Sequence, residues 1–316
     1  MPYTTPLIEL EPVDLSPYRD SNTGIDYVWS FASSRRGPHV VLNALTHGNE
    51  ICGAIALDRL LRGGLRPARG KLTFSFANVA AYQAFQRTDP SASRYLDEDL
   101  NRVWSAKTLD GPRQSRELQR ARALRPMIDT ADFLLDIHSM TAETGPVMLT
   151  GIAEKHLALA RRLRFPALLV RDAGHAAGPR LREYERFSEP GTPPISLLIE
   201  CGQHWLKQSV EVALETIWRF LAAAGILPES DGAALLARPA PPQRTVLVTN
   251  VVTIATDDFR FDERFKGFDV VPHAGTLIAR DGLQEVRTPY DNCVLIMPLR
   301  RSVRGATAVR LGRFED

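Results

Sequence analysis

The sequence predicts an α/β protein: a mixed, mostly parallel sheet with helices on both faces, followed by a small β-rich C-terminal domain. Three observations carry this expectation. Strand-like apolar runs alternate with segments of helical periodicity as far as residue 224, the order expected of strand–helix–strand units. Runs such as Val40 to Leu45 and Ala131 to Ser139 look buried, as in a sheet covered on both faces. Beyond Thr245 the chain becomes rich in Val, Ile and Thr with Gly and Pro punctuation, which favours short strands.

In order, Tyr27 to Ala32 reads as an edge strand and Val40 to Leu45 as the first central strand. From Ile51 to Leu61 apolar residues recur at helical spacing, so an amphipathic helix packs on the sheet. Gly63, Gly64 and Pro67 break the chain before a second strand, Lys71 to Asn78. Gly64 to Lys71 is not a phosphate loop, because no Ser or Thr follows the lysine and a strand rather than a helix comes next. Residues 79–112 form a long, poorly periodic excursion, and loops of that length are usually functional. Helical character over 113–130 precedes the strand Ala131 to Ser139. Val147 to Leu149 and Ala167 to Val170 flank a basic helix at Ala153 to Leu163. The strand Ile195 to Gly202 and a helix over 209–224 close the unit. Pro228, Gly232, Pro239, Pro241 and Pro242 then mark Gly225 to Arg244 as a linker. The expected domains are 1–235 and 236–316.

Composition excludes several classes. The 316 residues are 44% hydrophobic and 24% charged, with a net charge of +2, which implies neither disorder nor a nucleic-acid or membrane partner. The arginines at 116–125 and 161–164 are expected on solvated helix faces. Cys52, Cys201 and Cys293 are odd in number and form no Cys-x-x-Cys, which argues against a disulfide framework and for a reducing compartment. The opening Met1 to Leu7 has no basic segment leading into a long apolar core, so the expectation is a soluble cytoplasmic protein. Oligomeric state stays open, a homo-oligomer included.

The chemistry is read from strand ends. The first central strand stops at His47-Gly48-Asn49-Glu50, which places His47 and Glu50 where a strand gives way to a helix. In open α/β sheets that carboxyl edge is where ligands bind. Three residues of separation, taken around the first helical turn, bring both side chains to one side. His-x-x-Glu alone is weak, but two more strands end in His138 and Glu200. Two imidazoles and a carboxylate make a zinc site with one position free for water. Glu200 is then the spare acid, placed to take a proton and return it to a leaving amine. Asp136 shares a strand face with His138 and is a candidate to orient it. In the excursion, Arg94, Asn101 and Arg102 are donor-rich. Guanidinium groups suit a substrate carboxylate or a developing oxyanion, while pairing with Asp97, Glu98 or Asp99 is the plain structural alternative.

Thr46-His47-Gly48-Asn49-Glu50, the stretch Arg94 to Arg102, Asp136-Ile137-His138 and Ile199-Glu200-Cys201-Gly202 together resemble the signatures of the succinylglutamate desuccinylase/aspartoacylase family, relatives of the zinc carboxypeptidases. The resemblance spans roughly 38–225 and implies a carboxypeptidase-like α/β domain. It implies one Zn2+ per subunit on His47, Glu50 and His138, and Glu200 as base. Arg94 would polarise the scissile carbonyl, and Asn101 and Arg102 would hold the carboxylate of the amino-acid part. The implied reaction is hydrolysis of a small N-acyl amino acid. Where aspartoacylases look to carry an arginine shortly before the catalytic Glu, this chain has Pro190, and its nearest upstream arginine is Arg186. The acyl group expected from that departure is neither aspartate-linked nor dicarboxylic. Tyr290 is a candidate for a C-terminal tyrosine that family members bring to the site. A metallocarboxypeptidase acting on peptides and a non-catalytic metal-binding module are the alternatives. A C-terminal domain that caps the site favours small substrates.

Overall fold

A computed structural model of the chain describes residues 7–141, 144–175, 177–299 and 302–315. The segment Met1 to Pro6, read above as lacking a leader, and Asp316 lie outside them. The helices are α1 (Ile51–Arg62), α2 (Val79–Gln83), α3 (Ala106–Leu109), α4 (Arg116–Ile128), α5 (Glu154–Leu163), α6 (Lys207–Ala223) and α7 (Glu229–Ala237). The strands of the α/β part are β1 (Val28–Ala32), β2 (His39–Ala44), β3 (Lys71–Phe76), β4 (Phe133–Met140), β5 (Val147–Leu149), β6 (Leu168–Arg171) and β7 (Ile195–Gln203). Those that follow are β8 (Arg244–Thr253), β9 (Phe259–Phe261), β10 (Asp269–Val271), β11 (Leu277–Asp281), β12 (Gln284–Arg287), β13 (Cys293–Ile296) and β14 (Thr307–Phe314).

One large mixed sheet runs in the order β1-β3-β2-β4-β7-β5-β6-β8-β14-β13-β10. Its centre is parallel: β3, β2, β4 and β7 point the same way, with β1 antiparallel at the edge. Every residue of β2 is buried, because the sheet is covered on both faces. One face packs on α1, α5 and α6 through Leu57, Leu157, Ala160, Val210, Ile217 and Phe220. The other packs on α4 through Leu118, Ala121, Leu124 and Ile128.

Two expectations change. The stretch read as a linker contains α7, and β8 at its end pairs in parallel with β6, so the sheet continues into the C-terminal segment. The antiparallel strands β8, β14, β13 and β10 extend it, while β9, β11 and β12 form a separate three-stranded sheet. The boundary expected at 235/236 falls within α7. The arginines of α4 do not simply face water. Arg120 donates to the carbonyls of Ala77, Phe76 and Asp26, and Arg122 to those of Leu109, Gly111 and Arg113. They close the ends of β3 and of the loop after α3, carbonyl groups that have no strand partner to satisfy them.

Buried His156 ties α5 to the sheet. Its Nε2 donates to the Phe187 carbonyl at 2.8 Å and its Nδ1 accepts from the Ser196 amide at 3.3 Å. Burial, aided by the charge of Arg182, pushes this imidazole down to about 4 from an ordinary value of 6.5. Protonating Nδ1 would set one N–H against another. Because the folded value is depressed, the stabilisation is complete above the ordinary value and is lost as pH falls towards the folded value. The loss runs at about 1.4 kcal/mol per pH unit. Urea titrations at pH 7 and pH 5 are therefore expected to show about 2 kcal/mol less acid loss in a His156→Gln variant, whose amide donates and accepts without titrating. Equal acid loss in both proteins would remove His156 as the cause.

Candidate metal centre and active site

The neighbouring parallel strands β2, β4 and β7 deliver the candidate residues to one edge of the sheet. His47 and Glu50 follow β2, His138 lies near the end of β4, and Glu200 is its direct partner across the β4–β7 pair. Glu50 is the N-cap residue of α1, at φ −94° and ψ 65°, and its side chain caps nothing. The two candidate ligands of the His-x-x-Glu motif therefore share a tight loop, not the first helical turn. Gly48 lets that loop close: a Cβ there would lie 2.4 Å from backbone atoms of Ala81 and Tyr82 and 2.6 Å from the Ser93 carbonyl. The same close approach lets the Gly48 amide donate to the Arg94 carbonyl at 3.0 Å, which fixes the Arg94 loop against the ligand loop.

His47, Glu50 and His138 are all buried, with ligand atoms within 4.8 Å of one another. His47 Nδ1 lies 2.7 Å from Glu50 Oε1, and His138 Nδ1 lies 2.9 Å from Glu50 Oε2. Both far nitrogens are backed by carboxylates. His138 Nε2 is 2.8 Å from Asp136 Oδ2, and His47 Nε2 is 2.9 Å from Asp99 Oδ1. Asp136 is itself held by Asn43 Nδ2 and Thr46 Oγ1, each at 2.8 Å from Oδ1. Carboxylates behind ligating imidazoles fix the tautomer and raise ligand basicity, so this donor set fits zinc.

Electrostatics points the same way. Burial opposes ionisation of Glu50, but the charges of His47 and His138 and their hydrogen bonds outweigh it and hold the carboxyl well below its ordinary value. Burial likewise opposes a charge on His138, yet Asp136 and Glu50 raise that imidazole well above its usual value. The centre is built to hold positive charge. Glu200 behaves oppositely. Burial, then the charge of Glu50, pushes its carboxyl up to about 8, against the pull of His138, Arg94 and Arg180. Its Oε2 is buried with no hydrogen-bond partner. An orphaned, readily protonated acid beside a candidate cation site is the arrangement proton transfer requires.

Arg94 leans over the centre, with its side chain 36% exposed and so open to an incoming ligand. Its Nη2 lies 2.8 Å from His47 Nε2 and 3.2 Å from Asp99 Oδ2, and its Nη1 lies 3.4 Å from Glu50 Oε1. His47 Nε2 cannot both accept from Arg94 and donate to Asp99. The carboxylate is the stronger acceptor, so Asp99 holds the imidazole and Arg94 together. Burial resists the charge on Asp99, but His47, Arg94 and Arg102 keep its carboxyl far below the usual range.

The two remaining loop candidates differ. Asn101 is buried and its Oδ1 accepts from the Leu181 amide at 2.9 Å, which locks the excursion to the segment after β6. Arg102 donates to the Asn101 carbonyl at 2.7 Å and reaches Asp99 only at 3.9 Å, so its charge is weakly compensated. Around it stand Arg180 and Arg310, which share Asp172 at 2.5 Å and 3.2 Å. Burial and the charges of Arg102, Arg310 and Arg180 push His175 down to about 4. Two further candidates have other partners. Tyr290 bonds Thr249 and lies under Arg313, and Arg186 donates to the Asp129 carbonyl.

Sequence reasoning missed several participants. Asp99 was weighed only as a charge partner of arginine, although the acid in Asp99-Leu100-Asn101-Arg102 backs His47. Asp172, Arg180 and Arg310 carry no motif, and no spacing could have joined them. His204 and Trp205, just beyond Glu200, are both buried, His204 against Ser139 of β4 and Trp205 against the Asn49 carbonyl. Their place directly after a strand-end acid was the one available signal.

Comparison with known proteins identifies the family. A Rattus norvegicus protein named N-acyl-aromatic-L-amino acid amidohydrolase (carboxylate-forming) is 30% identical over 173 residues, 50% of this chain and 48% of that protein. A probable aspartoacylase of Parasynechococcus marenigrum is 31% identical over 198 residues, covering 57% of this chain and 60% of that one. The matches thus span about half to three fifths of those curated relatives. A succinylglutamate desuccinylase from Vibrio cholerae superposes with a TM-score of 0.66 at 16% identity, over 91% of this chain and 85% of that one, which shows the shared fold. Residues 36–222 match the succinylglutamate desuccinylase/aspartoacylase catalytic domain, and the chain belongs to that family.

Proposed function

We propose that the protein is a zinc-dependent amidohydrolase that cleaves the amide bond of a small N-acyl amino acid. The observation that carries this reading is the convergence of His47, Glu50 and His138 beside a Glu200 whose Oε2 is buried without a partner. A zinc ion held by His47, Glu50 and His138 would supply Lewis acidity and acidify a water. The chain's own groups do the rest. Glu200 takes a proton from the attacking water and returns it to the departing nitrogen. Arg94, open to solvent and anchored by Asp99, donates to the carbonyl oxygen as negative charge develops there. Arg102, short of compensation, takes the carboxylate of the amino-acid part, and Asn101 holds the loop that presents it.

The small-substrate reading over a peptide-cleaving one is supported by Arg310. This residue comes from β14 and pairs with Asp172 at 3.2 Å, beside Arg180, so the C-terminal segment borders the basic cluster around Arg102. A division into a catalytic unit, expected at 1–235, and a β-rich C-terminal unit, expected at 236–316, belongs to the same proposal, with α7 spanning the expected boundary and the large sheet running on through β6 and β8. So does a cytoplasmic setting, to which the free, buried Cys52, Cys201 and Cys293 lend support. Among the described residues no helix is long and apolar enough to cross a membrane.

The test is a screen of zinc-loaded protein against N-acetyl, N-succinyl and other N-acyl amino acids, reading free amine. Release is expected from N-acyl amino acids and is lost on chelation and restored by zinc. An Arg102→Met variant is expected to raise KM by about 10–100-fold, the loss of one charge-assisted hydrogen-bonded contact. Cleavage of peptides alone would transfer the assignment to a carboxypeptidase.

A further inference from the structure

The β4–β7 pair contains an irregularity beside the metal centre. His138 faces Glu200, but the next pair is Met140 with Gln203, so β7 holds one residue more than β4 between them. Gly202 sits in that extra stretch at φ +95°, a conformation that favours glycine. A bulge of this kind bends the strand and re-aims the side chains that follow. Its effect here is to turn His204 back towards β4. The His204 amide donates to the Met140 carbonyl at 2.9 Å. The residue is 3% exposed, with Nδ1 2.8 Å from Ser139 Oγ and Nε2 3.4 Å from Thr141 Oγ1.

Ser139 links this ring to the ligands, since its amide donates to Glu50 Oε2 at 3.0 Å. Trp205 works on the other side of the same loop: fully buried, it donates Nε1–H to the carbonyl of Asn49 at 3.0 Å. Glu50 thus has Oε1 addressed by His47 and, at 3.4 Å, by Arg94, Oε2 by His138 and Ser139, and its preceding residue clamped by Trp205. Unlike the histidines it has no carboxylate behind it. The Ser139–His204 bond occupies that supporting position.

The geometry points to His204 as a positioning residue for the metal centre, acting through Ser139 to hold the Glu50 carboxylate in the orientation both imidazoles need. This rests on the reading of Glu50 as a metal ligand. His204 touches no ligand atom in this role, and its contribution is geometric.

The test measures zinc affinity of the folded, metal-stripped protein by competition with a chromophoric chelator, independently of catalysis. His204→Leu fills the space but offers no hydrogen-bonding atom, and is expected to weaken zinc binding about 10–100-fold, the usual consequence of losing an outer partner. His204→Asn places a polar atom near the position of Nδ1 and is expected to restore most of the loss. Ser139→Ala keeps the amide bonded to Glu50 and removes only Oγ, so it should match His204→Leu. The double variant should be no worse than the weaker single one, because both cut the same link. Should His204→Leu fail to fold, Ser139→Ala and His204→Asn carry the same comparison. Wild-type affinity in Ser139→Ala, or an asparagine variant as weak as the leucine one, would overturn the inference. A wild-type protein that binds no zinc would overturn the metal-centre reading itself, whereas normal zinc affinities with no amide hydrolysis would leave this inference standing and remove only the proposed activity.

Discussion

Replacing Glu200 with glutamine is expected to lower kcat by about 10²–10⁴-fold, the range for loss of a positioned general base. Zinc affinity should stay close to that of the parent, because Glu200 faces the centre from β7 and is not among the three converging groups. Glutamine keeps the volume and removes the proton acceptor. Stability should not fall and is expected to rise slightly, since Oε2 is buried without a partner and its carboxyl is already pushed up to about 8 by burial and Glu50. The informative result is the combination: activity gone, metal retained, melting temperature unchanged or higher. Turnover within tenfold of the parent in zinc-loaded protein would assign the proton transfer elsewhere.

Changing His138 to alanine should do the reverse, removing the metal and weakening the fold together. The imidazole stands between Asp136 Oδ2 at 2.8 Å and Glu50 Oε2 at 2.9 Å, all three side chains buried. Removing it leaves two buried carboxylates facing each other with no cation between them. Taking one partner from a buried ionic group costs about 3–5 kcal/mol. The loss of a direct ligand should exceed the 10–100-fold that an outer partner contributes to metal affinity. Chelator competition measures the first effect and urea unfolding the second. Stoichiometric zinc bound at parental affinity would show that the ion sits elsewhere.

The convergence of the candidate metal-binding residues was legible because strands announce their ends. Apolar runs that stop at His47, His138 and Glu200 are visible in a single sequence, and parallel neighbours put their carboxyl ends on one edge. What stayed hidden has physical reasons. The nine residues of α7 have no side-chain N-cap and contain Gly232, so a short helix among prolines reads as a linker. The arginines of α4 were expected to be solvated, because periodicity reports apolar faces and says nothing about carbonyls lacking partners nearby. Asp99 lies in a run of three acids, Asp97-Glu98-Asp99, where composition cannot tell which one backs His47. The basic cluster of Arg102, Arg180 and Arg310 is assembled from three distant segments, and only the folded chain brings them within reach of one another.

The pairing of β6 with β8 has a practical bearing on how the chain can be shortened. A protein cut after α7 would not be a trimmed version of the large unit. It would carry an open seam along β6, whose outward N–H and C=O groups bond β8 in the intact chain. Such bare edges recruit strands from other molecules. Chains ending there are thus expected to clump in solution, and the segment from β8 onward acts as a selvedge for the sheet as well as a neighbour of the candidate site.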